Sequence, residues 1–270
     1  MVGSLNAPVS NVSIPTILLF DSGLGGLTVF REVKAARPDA RFVYIADDAG
    51  FPYGNLDEDR LIERVAEVVG SAIAEHKPDL VVIACNTAST LALGELRTRF
   101  RVPFVGTVPA IKPACAQSTT KRVSVLGTRA TVGREYTHTL IREFGGGCDV
   151  HLVGSTRLAA YAEAELAGAP LSDSAITEEI ARCFVEKDGK RTDTVVLACT
   201  HYPLLLGRFR ANAPWPVNWI DPAPAIARRV ADLMRGHASA GAAAPSPEIR
   251  FTSGRKPSPQ LAKSLSAFGL

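Results

Sequence analysis

Two segments of this chain carry a cysteine where a short apolar run gives way to polar residues: VVIACNTAS (81–89) with Cys85, and VVLACTHYP (195–203) with Cys199. Each run has the length and β-branched content of a buried strand. In a parallel α/β sheet, the turn beyond such a strand is where ligands bind. A single cysteine there is most often a small apolar filler. Two in matched surroundings, one followed by Asn-Thr and the other by Thr-His, are a different matter, because filler has no need of a polar neighbour in both copies. The N–H groups at a helix start suit a carboxylate and lower a thiol's pKa. Paired thiols in turn suit one kind of chemistry. Removing the α-proton of an amino acid leaves a near-planar carbanion, and inversion requires the proton to return from the opposite face. One ionised and one protonated thiol can serve both faces and exchange roles with the direction of reaction.

The elements that would position these thiols are legible along the chain. Apolar runs at 17–20, 41–46, 80–84, 103–106, 122–126, 149–153, 194–198 and 217–220 alternate with helical patterns, which predicts βαβ units and parallel sheets. A helix over 57–76 has Asp57 as N-cap and Leu61, Val65, Val68 and Ala72 on one stripe. Another is read over 176–187, and a third from Thr131 to the stop at Gly145, Gly146 and Gly147. The two cysteine segments form an internal near-repeat, echoed by ILLFDSGLGG (17–26) and VSVLGTRATVG (123–133), so two half-molecules are built alike. The predicted fold class is α/β, with two pseudo-symmetric lobes, each a mostly parallel sheet flanked by helices, and an active site in the cleft between them. Residues 14–107 with 218–270 make the first lobe and 108–217 the second. Residues 1–13 form a polar tail, 237–246 a flexible loop, and EIRFTSG (248–254) returns to the first lobe.

Composition narrows the class of function. At 46% hydrophobic and 21% charged the chain reads as an ordinary soluble protein, with no apolar run long enough to span a membrane. A net charge of +3 with no basic-aromatic stretch argues against a nucleic-acid partner. The start lacks the basic and apolar parts of a secretory signal, so a cytoplasmic location is expected. Five widely spaced cysteines (Cys85, Cys115, Cys148, Cys183, Cys199) without a CxxC pair indicate free thiols, with neither a disulfide framework nor a metal site.

Four blocks, FDSGLGGLTV (20–29), FPYG (51–54), ACNTAS (84–89) and ACTHYPLL (198–205), resemble the signature segments of glutamate racemases in the aspartate/glutamate racemase superfamily, a likeness running from about residue 17 to 235. The resemblance implies interconversion of L- and D-glutamate without pyridoxal phosphate, metal or other cofactor, supplying D-glutamate for peptidoglycan. No Gly-rich dinucleotide fingerprint stands against that. It also implies roles residue by residue. Cys85 and Cys199 exchange the proton. Asp21 assists Cys85 and, with Ser22, lies near the substrate amino group. His201 activates Cys199, and Asp47 matches an acidic catalytic position. Pro52, Tyr53 and Gly54 form a substrate-contacting loop. Asn86, Thr87 and Thr200 bind the α-carboxylate and amino groups, while Thr128 and Thr131 resemble the pocket for the side-chain carboxylate. The partner is thus a small molecule, glutamate, and a homodimer is one of the oligomeric states open.

The chain departs from the pattern in one place. Many members carry a glutamate shortly after the strand read here as DVHLV, where this chain has Ser155 and Thr156. Either a downstream carboxylate such as Glu163 substitutes, or His201 serves that side alone. Rival readings are racemisation of aspartate or a hydantoin, a related decarboxylase or isomerase, and a two-lobed binding protein that closes on a small acid without reacting.

Overall fold

The computed structural model describes residues 14–237 and 244–270; the tail read at 1–13 and most of the loop read at 237–246 lie outside them. In the first half, β1 (Thr16–Asp21), α1 (Leu27–Ala36), β2 (Arg41–Ala46), α2 (Glu58–His76), β3 (Leu80–Ile83), α3 (Asn86–Arg99) and β4 (Phe104–Gly106) follow in order. The chain then crosses through α4 (Ile111–Gln117) into β5 (Arg122–Thr128), α5 (Arg129–Gly133), α6 (Glu135–Phe144), β6 (Asp149–Ser155), α7 (Leu158–Leu166) and α8 (Asp173–Ile180). A small hairpin of β7 (Glu186–Lys187) and β8 (Lys190–Arg191) precedes β9 (Thr194–Ala198), α9 (Leu206–Asn212), β10 (Asn218–Ile220), α10 (Ala223–Leu233), β11 (Glu248–Phe251) and α11 (Pro259–Phe268).

Two parallel sheets result, in the orders β11-β2-β1-β3-β4 and β10-β9-β5-β6. Their inner order is the same. β2-β1-β3-β4 corresponds to β6-β5-β9-β10, which gives physical form to the sequence repeat. The register is equally exact: Phe20 pairs with Ile83, two residues before Cys85, and Leu126 pairs with Leu197, two before Cys199. Ser22 and Thr128 therefore occupy equivalent places, and Asp21 matches Gly127. The acidic helper of the first half has no counterpart by symmetry.

Both faces of the first sheet are covered, which is why its strands are continuous apolar runs. Ile17 and Leu19 face α1, α10 and α11, whereas Leu18 and Phe20 face α2 and α3. Ile226, Val230, Leu261 and Leu265 from the C-terminal helices complete the former layer, so the chain does return to the first lobe. β10 does not return with it. Asn218–Ile220 pairs with β9 in the second sheet, which moves the boundary expected at 217/218 past that strand.

Three helix readings are corrected. In α2, capped by Asp57 through a 2.9 Å bond from Arg60 N–H, Val69 is buried while Val68 is only partly covered. The helix read over 176–187 ends at Ile180, because Phe184 leaves the helical conformation to start the β7–β8 hairpin. The helix read from Thr131 to Gly145 is broken at Arg134, whose extended backbone (φ −80°, ψ 143°) separates α5 from α6.

Candidate active site

Cys85 follows β3 and Cys199 follows β9, each at the carboxyl edge of its sheet, and the two sulfurs line one pocket between the lobes. Ser22, Pro52, Tyr53, Gly54, Asn86, Thr87, Thr128, Thr200 and His201 line it as well. Sequence reasoning had not pointed to Phe51 and Ala159, which complete the wall. The enclosed space is about 20 Å³, room for little more than one water.

The two thiols sit in unlike surroundings. Cys85 Sγ lies 3.6 Å from Ser22 Oγ at the start of α3, and burial, reinforced by the Asp21 carboxylate, pushes the thiol up to about 12. It is therefore protonated at neutral pH. Cys199 Sγ lies 3.9 Å from His201 Nδ1, and His201 Nε2 is 3.0 Å from Glu163 Oε1. Burial alone would pull the imidazole down, but its bonds to Cys199 and Glu163 and the nearby Asp21 carry it well above its ordinary value. An imidazolium beside Cys199 is placed to stabilise negative charge on that sulfur.

Glu163 comes from α7, the first helix after the strand where the family pattern has its acid. Ser155 instead precedes that helix, its hydroxyl accepting from Leu158 N–H at 3.0 Å and Arg157 N–H at 3.1 Å and donating to Glu179. Thr156 is exposed. Glu163 Oε1 also accepts from Leu24 N–H at 2.7 Å, joining the second lobe to the DSGLGG turn of the first. The glycines of that turn make the approach feasible. A Cβ on Gly23 would lie 2.2 Å from Glu163 Oε1, and one on Gly25 would lie 2.3 Å from His201 Nδ1.

Asp21 is fully buried and lies behind the pocket wall. Its oxygens accept from Gly23 N–H at 2.9 Å and Thr200 Oγ at 3.3 Å. Burial raises its pKa, opposed by His201. Asp47, read from sequence as catalytic, stands apart from the thiols. Its carboxylate is held by Arg64 Nε and Nη2, each at 2.6 Å, by Thr252 Oγ at 2.6 Å and by the Tyr53 hydroxyl, so it fixes the 51–54 loop. Sequence alone gave no signal for Arg64 or Thr252, which come from distant elements.

Beside the pocket, which Thr87 and Thr128 line, the hydroxyls of Thr87, Thr128 and Thr131 form a triangle with sides of 3.2, 3.3 and 2.9 Å. Thr128 also caps α5 by accepting from Thr131 N–H at 3.1 Å. Asn86 lines the pocket and is buried, yet neither its amide nitrogen nor its oxygen has a protein partner. Unpaired buried polar groups are costly, so a side chain left this way is suited to a polar ligand. Cys183, by contrast, sits wholly within the apolar core of the second lobe, and Cys115 packs behind β5 and β9.

Known proteins resemble this chain over most of its length. A family model described as Asp/Glu/Hydantoin racemase matches residues 28–230. The glutamate racemase of Brucella canis is 52% identical over 255 residues, covering 94% of this chain and 92% of its own length. That of Brucella anthropi is 50% identical over 273 residues, 98% of each. Among solved structures, Escherichia coli glutamate racemase in complex with L-glutamate and the activator UDP-MurNAc-Ala matches with a TM-score of 0.87 at 38% identity, over 95% of this chain and 96% of that one. Glutamate racemase from Aquifex pyrophilus matches with a TM-score of 0.68 at 28% identity, over 94% of each chain. With two like sheets meeting at two buried thiols and a likeness of this extent, the chain belongs to the Asp/Glu/hydantoin racemase family.

Proposed function

We propose that this protein interconverts L- and D-glutamate by passing the α-proton between two thiols, with no cofactor. The observation that carries the reading is the unequal pair in one closed pocket: Cys85 held as a protonated thiol, and Cys199 beside a His201 imidazolium braced by Glu163. In one direction Cys199 removes the α-proton while Cys85 delivers its own to the opposite face; in the other the roles reverse. The threonine triangle takes the side-chain carboxylate. Asn86 and Thr200 take the α-carboxylate and amino groups, and the 51–54 loop closes over the ligand. Asp21 acts on Cys85 through its charge, and Asp47 acts through Tyr53. The extended similarity to glutamate racemases supports glutamate as substrate, and with it a cytoplasmic role in supplying D-glutamate for peptidoglycan. No helix among the described residues is long and apolar enough to cross a membrane.

Incubation in D2O with L- or D-glutamate, followed by proton NMR and polarimetry, tests the reading. Deuterium enters the α-position as rotation decays to zero. Cys85→Ala and Cys199→Ala each abolish racemisation while the fold is retained. Absence of both exchange and inversion in the unaltered protein overturns the assignment, and wild-type rates in either variant remove that cysteine from the mechanism.

A further inference from the structure

The racemisation reading leaves one buried cation beside the site without a role. Arg134 stands at the break between α5 and α6, in the second lobe, with only 10% of its side chain exposed. The break is held by local bonds: Thr137 Oγ donates to Thr131 C=O at 2.6 Å, and Thr137 and His138 N–H reach Arg134 C=O at 3.0 and 3.2 Å. This kink turns Arg134 towards the other lobe. Its Nη1 donates to Thr87 C=O at 3.1 Å and reaches Thr90 Oγ at 3.4 Å, both in α3, and its Nε lies 3.6 Å from Glu58 Oε1 in the first turn of α2. All three partners belong to the first lobe, and Thr87 is a corner of the threonine triangle. The Nε has no hydrogen-bond partner, and burial holds the guanidinium below its ordinary pKa.

A side chain that bears a desolvation cost and is incompletely satisfied is poorly explained as surface decoration. Its partners explain it better. The pocket has room for about 20 Å³, too little for an amino acid, so the walls that line it, the two lobes and the 51–54 loop, move apart to admit one and close again around it. Arg134 spans the cleft beside the threonine triangle, a second inter-lobe bridge besides the one that Glu163 makes to Leu24 N–H.

We propose that Arg134 is a positioning residue for racemisation, an inter-lobe latch that fixes the first turn of α3 against α5 and holds the cleft in its binding-competent, closed form. Apparent affinity scales with the fraction of molecules in the competent form, so losing the latch weakens substrate binding before it slows chemistry. The kinetic consequence rests on the racemase reading. The mechanical one does not.

The test uses the full chain and the variants Arg134→Met, Arg134→Lys and Thr90→Val. KM and kcat are measured by polarimetry with L-glutamate, and backbone amide exchange by mass spectrometry with and without L-glutamate. Arg134→Met raises KM at least ten-fold with kcat changed less than three-fold. It also accelerates exchange at least ten-fold at 86–90 and 129–135 in the free protein while leaving α10 unchanged. Arg134→Lys, which keeps the charge but has a single nitrogen where Arg134 uses Nη1 for Thr87 and Thr90 and Nε for Glu58, falls between. Thr90→Val gives a smaller rise in KM of the same kind, and decides the matter if Arg134→Met does not fold. A wild-type KM in Arg134→Met, a fall in kcat at constant KM, or faster exchange spread evenly through the second lobe overturns the latch. If the unaltered protein does not act on glutamate, the function proposed above fails, and the exchange pattern still decides whether Arg134 latches the lobes.

Discussion

Gly25→Ala isolates the contact that brings the second lobe's histidine to the first lobe's turn. Gly25 does not have a positive φ, so alanine is compatible with the backbone, and the perturbation is steric alone. The new Cβ would lie 2.3 Å from His201 Nδ1, 2.6 Å from Cγ and 2.7 Å from Cε1, whereas ordinary contact begins near 3.4 Å, so the ring must retreat by about 1 Å. Its retreat is opposed by Glu163 at 3.0 Å and by Phe51, whose ring centroid is 5.5 Å away. Overpacking of this kind costs about 1–3 kcal/mol of stability. Misplacing a catalytic group by about 1 Å costs on the order of 10² in rate. Because the equilibrium constant of a racemisation is unity, kcat/KM must fall by the same factor for both enantiomers. The asymmetry surfaces elsewhere. With α-deuterated substrates, the primary isotope effect grows for the enantiomer whose proton Cys199 removes and shrinks for the other, since only the Cys199 side is impaired. Initial rates by polarimetry, isotope effects in both directions and a thermal melt make up the assay. Unchanged kcat/KM, or isotope effects that move together in both directions, would refute the placement of His201 on one side of the chemistry.

Other perturbations follow from the same contacts. Glu163→Gln removes a charge that helps hold His201 protonated, so the loss of activity with rising pH, which tracks imidazolium deprotonation, moves to lower pH; kcat at neutral pH falls about ten-fold, read from pH–rate profiles. Asp193 accepts from Ser118 Oγ at 2.7 Å, Thr119 N–H at 2.8 Å and Thr120 N–H at 2.9 Å. Burial acts to raise its pKa, but these bonds outweigh it and leave the carboxyl below the usual range. A depressed carboxyl stabilises the fold above its unfolded pKa and loses that contribution as pH falls. Asp193→Asn therefore lowers urea stability by about 1–2 kcal/mol at pH 7, and the difference narrows below about pH 4. Gly94 lies inside α3 with nothing within 4 Å of an added Cβ, so Gly94→Ala stabilises by about 0.5–1 kcal/mol and raises Tm by roughly 1–4 °C in calorimetry.

The sequence by itself determined the parallel α/β class, the strands and the two thiols, because a strand covered on both faces must be apolar throughout and ends abruptly where its polar turn begins. The near-repeat correctly announced two like sheets. Matching motif blocks then supplied Ser22, Asn86, Thr87, Thr200 and His201, which line one pocket together with Thr128. What stayed hidden depends on contacts between distant parts of the chain. β10 has only three residues, and whether it belongs to one sheet or the other is settled by its hydrogen bonds to β9. The break at Arg134 follows Gly133 and is held by the nearby Thr137 and His138, but the partners that its side chain reaches, Thr87, Thr90 and Glu58, lie far away in the chain and leave no mark on helix periodicity. Glu163 and Glu165 are near neighbours on one helix, indistinguishable by spacing, yet Glu163 meets His201 while Glu165 meets Arg208. Two residues along a helix turn a side chain by roughly 200°, so only the packing of α7 against the first lobe decides which carboxylate serves Cys199.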